Sequence, residues 1–126
     1  FAKRARGGYD CEMDVIAFDP KNKELIHAEV SWDANSWAQR CAVMQKKFSA
    51  ASKAYATLFP FGHNVVKQVA ILGLTRPKRR VCIPNVQVIL VRDFINDVKR
   101  QLPKDPLSAI VPEGYPLLRA MQLTLW

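Results

Sequence analysis

Residues 12–31, EMDVIAFDPKNKELIHAEVS, carry two apolar, partly alternating runs on either side of Asp19-Pro20-Lys21-Asn22-Lys23. Asp and Asn bond their own backbone in turns and Pro presets φ, so the segment reads as a β-hairpin. With the turn centred near Lys21, Asp14 lies nearly opposite Ala28 and Glu29. Cross-strand neighbours on one face approach to about 4.5–5.5 Å at Cβ. The hairpin is therefore expected to bring Asp14 and Glu29 together. Strand side chains alternate with period two, which puts His27 and Ser31 on the face of Glu29, and Glu12 on that of Asp14.

From 34 to 58 the period changes. Trp37, Cys41, Met44, Phe48, Ala51, Tyr55 and Leu58 recur at helical spacing, with Gln39, Arg40, Lys46, Lys47 and Lys53 off the stripe. Asp33 or Asn35 is placed to cap the start, and Pro60 and Gly62 end the element. Residues 65–74 and 86–91 read as buried strands joined through the basic loop TRPKRR. A helix follows from a cap at Asp93 to about Leu102, where Pro103 stops it. After the Pro-rich stretch Pro103, Pro106, Pro112 and Pro116, the segment PLLRAMQLTLW reads as a short helix with Pro first. The order hairpin, helix, strand, strand, helix, helix predicts an α/β fold with a mixed sheet. Residues 1–8 read as the end of an upstream element followed by a turn at Gly7-Gly8.

The 126 residues suit one compact domain, and residues 1–126 are taken as one. The chain opens on Phe1 rather than Met, so it reads as a fragment truncated on its N-terminal side. With 19 Lys and Arg against 11 Asp and Glu, the net charge of +8 favours an anionic partner. No apolar run approaches the roughly 20 residues that span a bilayer, which argues against a membrane partner. Cys11, Cys41 and Cys82 are odd in number and widely spaced, and are read as reduced thiols of a cytoplasmic protein. No Gly-rich phosphate loop, nucleophile elbow or HExxH motif is present, which argues against nucleotide kinases, serine hydrolases and zinc proteases.

Two carboxylates meeting at a sheet edge are hard oxygen donors of the kind that hold Mg²⁺ for phosphodiester hydrolysis, usually with a nearby Lys. The run Glu12-Met13-Asp14-Val15-Ile16-Ala17-Phe18, a turn, then Leu25-Ile26-His27-Ala28-Glu29-Val30-Ser31 resembles the D…ExK signature of the PD-(D/E)XK, or restriction-endonuclease-like, nucleases. The long helix and two strands that follow are similar to the family order, and the resemblance covers about residues 9–91. Tyr115-Pro116-Leu117-Leu118-Arg119 is weakly reminiscent of the family as well. The resemblance implies a restriction-endonuclease-like core with a central mixed sheet flanked by helices, its first helix absent or cut off before Phe1. It implies Asp14 and Glu29 as ligands of Mg²⁺ or Mn²⁺, with the Val30 carbonyl as a further donor. The motif Lys is replaced by Ser31, and some members supply the Lys from the next helix. Lys46 or Lys47 is then the substitute, ahead of Lys53, and Gln45 takes a position similar to the family's helix Gln.

These residues give the catalytic set Asp14, Glu29, Ser31, Lys46, Lys47 and Gln45. For nucleic-acid contact, Arg76, Lys78, Arg79 and Arg80 form the densest basic cluster, and Trp32 is an aromatic able to stack on a base. Lys3, Arg4 and Arg6 form a less informative cluster. His27 reads as a packed strand histidine ahead of a base or metal ligand, and His63 is given no role. The expected function is metal-dependent hydrolysis of DNA, with a homodimer left open. The alternative is a catalytically degenerate nuclease fold that serves as a nucleic-acid-binding or assembly module, which the loss of the motif Lys at Ser31 favours.

Overall fold

The computed structural model describes residues 2–3, 9–32, 35–73, 83–104 and 109–125, with residues 2–3 and 9–11 described by backbone alone. The loop residues Arg76, Lys78, Arg79 and Arg80, the proposed cap Asp33, and Arg4 and Arg6 lie outside them. The chain divides into two compact units, 1–90 and 91–126, where the sequence reading treats 1–126 as one domain.

The first unit is built on a four-stranded mixed sheet. Strands β1 (Ala2–Lys3) and β2 (Tyr9–Cys11) first form a separate antiparallel ribbon, where the sequence suggested only a tail and a turn. The predicted hairpin follows as β3 (Val15–Asp19) and β4 (Glu24–Ser31). Its turn is held by Asp19, whose Oδ1 accepts from the backbone N–H of Lys21 at 2.9 Å and whose Oδ2 accepts from the Asn22 amide at 2.7 Å. Lys23 takes φ of 51° to re-enter the strand. Strands β5 (Val65–Leu72) and β6 (Val86–Leu90) add in parallel, giving the order β3-β4-β5-β6.

Alternation in β4 is strict. Leu25, His27, Glu29 and Ser31 are buried, while Val30 on the opposite face is 46% exposed. The buried row faces helix α1 (Trp37–Ser52) and the single turn α2 (Tyr55–Leu58). The helical stripe seen in the sequence forms the core as expected. Cys41, Met44 and Phe48 pack with Ala70, Leu72 and Ile83, and Ala51 and Tyr55 pack with Leu25. Leu58 departs from the stripe and is 38% exposed, because the helix breaks at Lys53 and Ala54. Arg40 departs in the other sense. It is buried, and its guanidinium donates to the carbonyls of Asn35 and Gly73, tying the start of α1 to the end of β5.

Helix α1 is capped by Ser36, not by Asp33 or Asn35. Ser36 Oγ accepts from the Gln39 N–H at 3.3 Å, and the Gln39 side chain accepts from the Ser36 N–H at 3.0 Å. This reciprocal capping box satisfies two N–H groups that no helical carbonyl can reach. Cys41 takes part in a disulfide, which corrects the reading of three reduced thiols. Its partner lies outside the described side chains.

The second unit holds α3 (Val91–Gln101) and α4 (Pro116–Leu123). Helix α3 starts at Val91, directly after β6, and Asp93 sits in its first turn rather than at its cap. Pro116 opens α4 as expected. Gln122 is fully buried. Its Oε1 accepts from the Val111 N–H at 2.9 Å, and its Nε2 donates to the carbonyls of Pro103 and Ala109 at 2.9 and 2.7 Å. A single amide thereby satisfies three backbone groups of the Pro-rich connection.

The capping box carries a direct expectation. Ser36→Ala should lower stability in urea unfolding by about 1 kcal/mol, and Gln39→Ala, which breaks only the return bond, should lower it by less.

Candidate functional site

The site is assembled at the open end of the hairpin. Val15 pairs with Ala28, so Asp14 follows one step beyond the last paired residue, level with Glu29. Strand β3 has ended there, and the Val30 N–H is satisfied by Asp14 Oδ2 instead, at 2.8 Å. That bond fixes the Asp14 side chain. Glu29 projects from the buried face of β4 and is 0% exposed.

Both carboxylates converge on one ammonium. Lys47 Nζ lies 3.2 Å from Asp14 Oδ1 and forms an ion pair with Glu29 Oε2. The position of Lys47 follows from the register of α1. Successive helical residues are about 100° apart, so the rotation that buries Phe48 leaves Lys47 at the edge of the buried stripe, half-buried. Lys46 is exposed. Gln45 is exposed too, and lines a different cleft with Ser49, Ser52, Gln68, Ile83 and Val86. Of the helix residues named from the sequence, Lys47 is the one placed between the acids. Ser31 is buried on the Glu29 face of the strand, and its carbonyl accepts from the Gly73 N–H at 2.9 Å.

Burial pushes the Asp14 carboxyl up, but the Val30 N–H and the Lys47 ammonium outweigh it and hold the group below its usual 3.8. Burial likewise pushes Lys47 down, and the Glu29 and Asp14 carboxylates overcome this and hold it above 10.5. At neutral pH the site therefore holds an Asp14 carboxylate and a Lys47 ammonium. In this arrangement Lys47 acts through its charge and not as a base.

The other oxygen of Glu29 meets a group the sequence did not assign. His27 Nε2 lies 2.7 Å from Glu29 Oε1, and His27 Nδ1 lies 2.6 Å from the Tyr55 hydroxyl. The imidazole is 0% exposed and meets the Phe48 ring edge-on at 5.0 Å. With both nitrogens engaged inside the protein, His27 is neither a ligand nor a base for a bound molecule. The signal was visible, since His27 shares the face of Glu29. Its partner Tyr55 is 28 residues away, on the helical side, and no local pattern pairs them.

Trp32 is 58% exposed, and its ring lies across Gly73: a Cβ placed there would stand 2.5 Å from the indole. The glycine gives the ring its seat. His63 is partly buried, against the edge of Tyr55 at 6.4 Å.

Among the described residues no group of three or more His, Cys, Asp or Glu side chains stands ready to hold a metal ion. The donor set is two carboxylates. That is too few for a structural zinc site but fits Mg²⁺, which is bound through one or two carboxylates with water and substrate oxygens completing its shell. Among the described residues no helix is long and apolar enough to cross a membrane. Compared with protein-family models, curated proteins and solved structures, the chain matches none.

The ion pair makes stability depend on pH in a defined window. Asp14, depressed on folding, contributes stability that is present above 3.8 and lost as pH falls through its lower folded value. Lys47, raised on folding, contributes stability that is present below 10.5 and lost as pH rises through its higher folded value. Lys47→Met leaves Glu29 buried without its cation, and should cost about 3 kcal/mol in urea unfolding at pH 7. The gap from wild type should narrow as pH falls below 3.8 and through the lowered folded value of Asp14, where that half of the ion pair is lost.

Proposed function

We propose that the first unit is a metal-dependent nuclease domain that hydrolyses phosphodiester bonds in DNA, built on a restriction-endonuclease-like core. The observation that carries this reading is the convergence of Asp14 and Glu29, from the two strands of one hairpin, on the Lys47 ammonium supplied by α1. The resemblance of the hairpin to the D…ExK signature implies two acids and a lysine at one point, and a helix lysine answers for the missing strand lysine.

In this reading Asp14 and Glu29 would hold Mg²⁺ or Mn²⁺, with the Val30 carbonyl as a third donor. The ion, when bound, polarises the scissile phosphate and lowers the pKa of a bound water. The protein's own groups supply the rest. The Val30 N–H keeps Asp14 aimed at the shared point. Lys47, a compact charge on a flexible stem, stays within reach of a phosphate oxygen and stabilises negative charge building on it. Trp32, seated on Gly73, offers an exposed ring for a base, and the basic loop 76–80 and the chain's excess of positive charge hold the backbone.

One observation favours the degenerate alternative. Lys47 already closes an ion pair with both acids, so the buried carboxylate has a cation beside it without any metal. A domain kept only for binding would have the same closed arrangement.

Cleavage of linear and circular DNA with Mg²⁺ or Mn²⁺ separates the two. Asp14→Ala and Glu29→Ala should abolish metal-dependent cleavage, and Lys47→Ala should lower it at least about a hundredfold. Lys46→Ala should stay within a few-fold of wild type. No cleavage by the wild-type protein, or cleavage indifferent to Asp14 and Glu29, removes the nuclease assignment and leaves the binding module.

A further inference from the structure

Beneath α1 the polar side chains form a chain that runs outward from Gln68 in two branches. Ser52 Oγ donates to the Phe48 carbonyl at 2.8 Å, which leaves its lone pairs to accept. The Gln68 amide donates to Ser52 Oγ at 2.9 Å and to the Tyr55 hydroxyl oxygen at 3.1 Å. Tyr55 and His27 Nδ1 are 2.6 Å apart, and His27 Nε2 and Glu29 Oε1 are 2.7 Å apart.

The donors can be assigned from the two ends. Glu29 pairs with the Lys47 ammonium through Oε2, and as a carboxylate it only accepts. The proton between His27 and Glu29 therefore sits on Nε2. With a single ring proton, held on Nε2, Nδ1 is the atom that accepts the Tyr55 O–H, and Tyr55 in turn accepts from Gln68. Each bond then has one donor and one acceptor. The ring itself is held by Phe48 and Tyr55, and the register pairs His27 with Gln68 across β4 and β5.

We infer that Tyr55 and His27 are positioning residues whose relay takes up Glu29 Oε1 and presents Oε2 alone to the cation of the site. That cation is the Lys47 ammonium in this structure, and the divalent ion in the reading proposed above, on which the metal half of this inference rests. An apolar residue at position 27 would fill the same volume. It would also leave Glu29 Oε1 buried without a donor, and free the carboxylate to rotate. Partners of this kind behind a metal ligand are typically worth about ten- to a hundredfold in metal affinity.

The test combines a metal-free and a metal-dependent readout on the whole chain. With ¹⁵N-labelled histidine, NMR should report His27 with a protonated Nε2 and an unprotonated Nδ1. Mn²⁺ binding, followed by the loss of its free EPR signal, should weaken about ten- to a hundredfold in Tyr55→Phe and in His27→Phe. His27→Gln, whose amide N–H takes the place of the imidazole donor, should recover most of it. Tyr55→Phe removes one oxygen and keeps the ring, so it reads the relay even if His27→Phe does not fold. The opposite tautomer, or wild-type Mn²⁺ affinity in a folded Tyr55→Phe, overturns the inference. A wild-type chain that binds no Mn²⁺ overturns the metal reading itself, and the ring signals, which need no metal, then decide the relay.

Discussion

The arrangement of the first unit turns on one buried charge. Glu29 has no contact with solvent, and an unpaired carboxylate in that position would cost several kcal/mol. The fold meets this cost on both oxygens at once, with Lys47 on Oε2 and His27 on Oε1. Each partner belongs to a different constraint. Lys47 depends on the rotation of α1, and His27 depends on the alternation of β4 and on Tyr55. Removing either leaves a buried acid half-satisfied, so the helix, the hairpin and the parallel strand β5 are tied through a single side chain.

That dependence also fixes register. A slip of one residue in β4 would turn Leu25, His27, Glu29 and Ser31 outward and bring Ile26, Ala28 and Val30 inward. For hydrophobic packing alone, the second set is the more apolar. The observed face is chosen because the polar members find partners beneath α1 and because Leu25 meets Ala51 and Tyr55. Ala70, paired with Glu29 across the sheet, is the smallest side chain in its row and leaves room beneath the helix. Asp14 is held differently. It replaces the strand partner that Val30 lacks, so the point where β3 stops is also the point where the second carboxylate is fixed.

Much of this was legible in the sequence, for physical reasons. The turn at Asp19–Lys23 fixed the hairpin register, and with it the nearness of Asp14 and Glu29. The helical period named the core residues from Trp37 to Tyr55. The capping signal also lies in the sequence. Ser36-Trp37-Ala38-Gln39 is an S-x-x-Q box, and the nearby Asp33 and Asn35 competed for the same role. The break after Ser52 could not be seen, since the apolar stripe runs through it to Leu58. Arg40 looked like a solvent residue because its partners are backbone carbonyls, which the sequence does not distinguish. The choice of Lys47 over Lys46 is a matter of about 100° of rotation, and needed the observed burial of Phe48 to settle. His27 was read as packed, which holds, but its bonds to Tyr55 and Glu29 arise only when strand and helix meet.

The charge balance of the site bears on which kind of domain this is. One ammonium against two carboxylates leaves a net negative charge among the three groups. That charge lies in a chain with a net charge of +8, which in the proposed reading meets a polyanion. At a separation of about 4 Å in a medium between water and protein interior, each uncompensated charge repels a phosphate by about 1–4 kcal/mol. A surface selected only to bind nucleic acid would be improved by losing Asp14, which packs no core and is partly exposed. Lys47 could still satisfy Glu29 alone. Beyond capping Val30 and pairing with Lys47, Asp14 meets no need of the core, and its presence works against a phosphate unless a further cation joins Lys47. On the proposed reading, a divalent ion held between the acids would reverse the sign of the site, and a point that repels a phosphate would become one that draws it in.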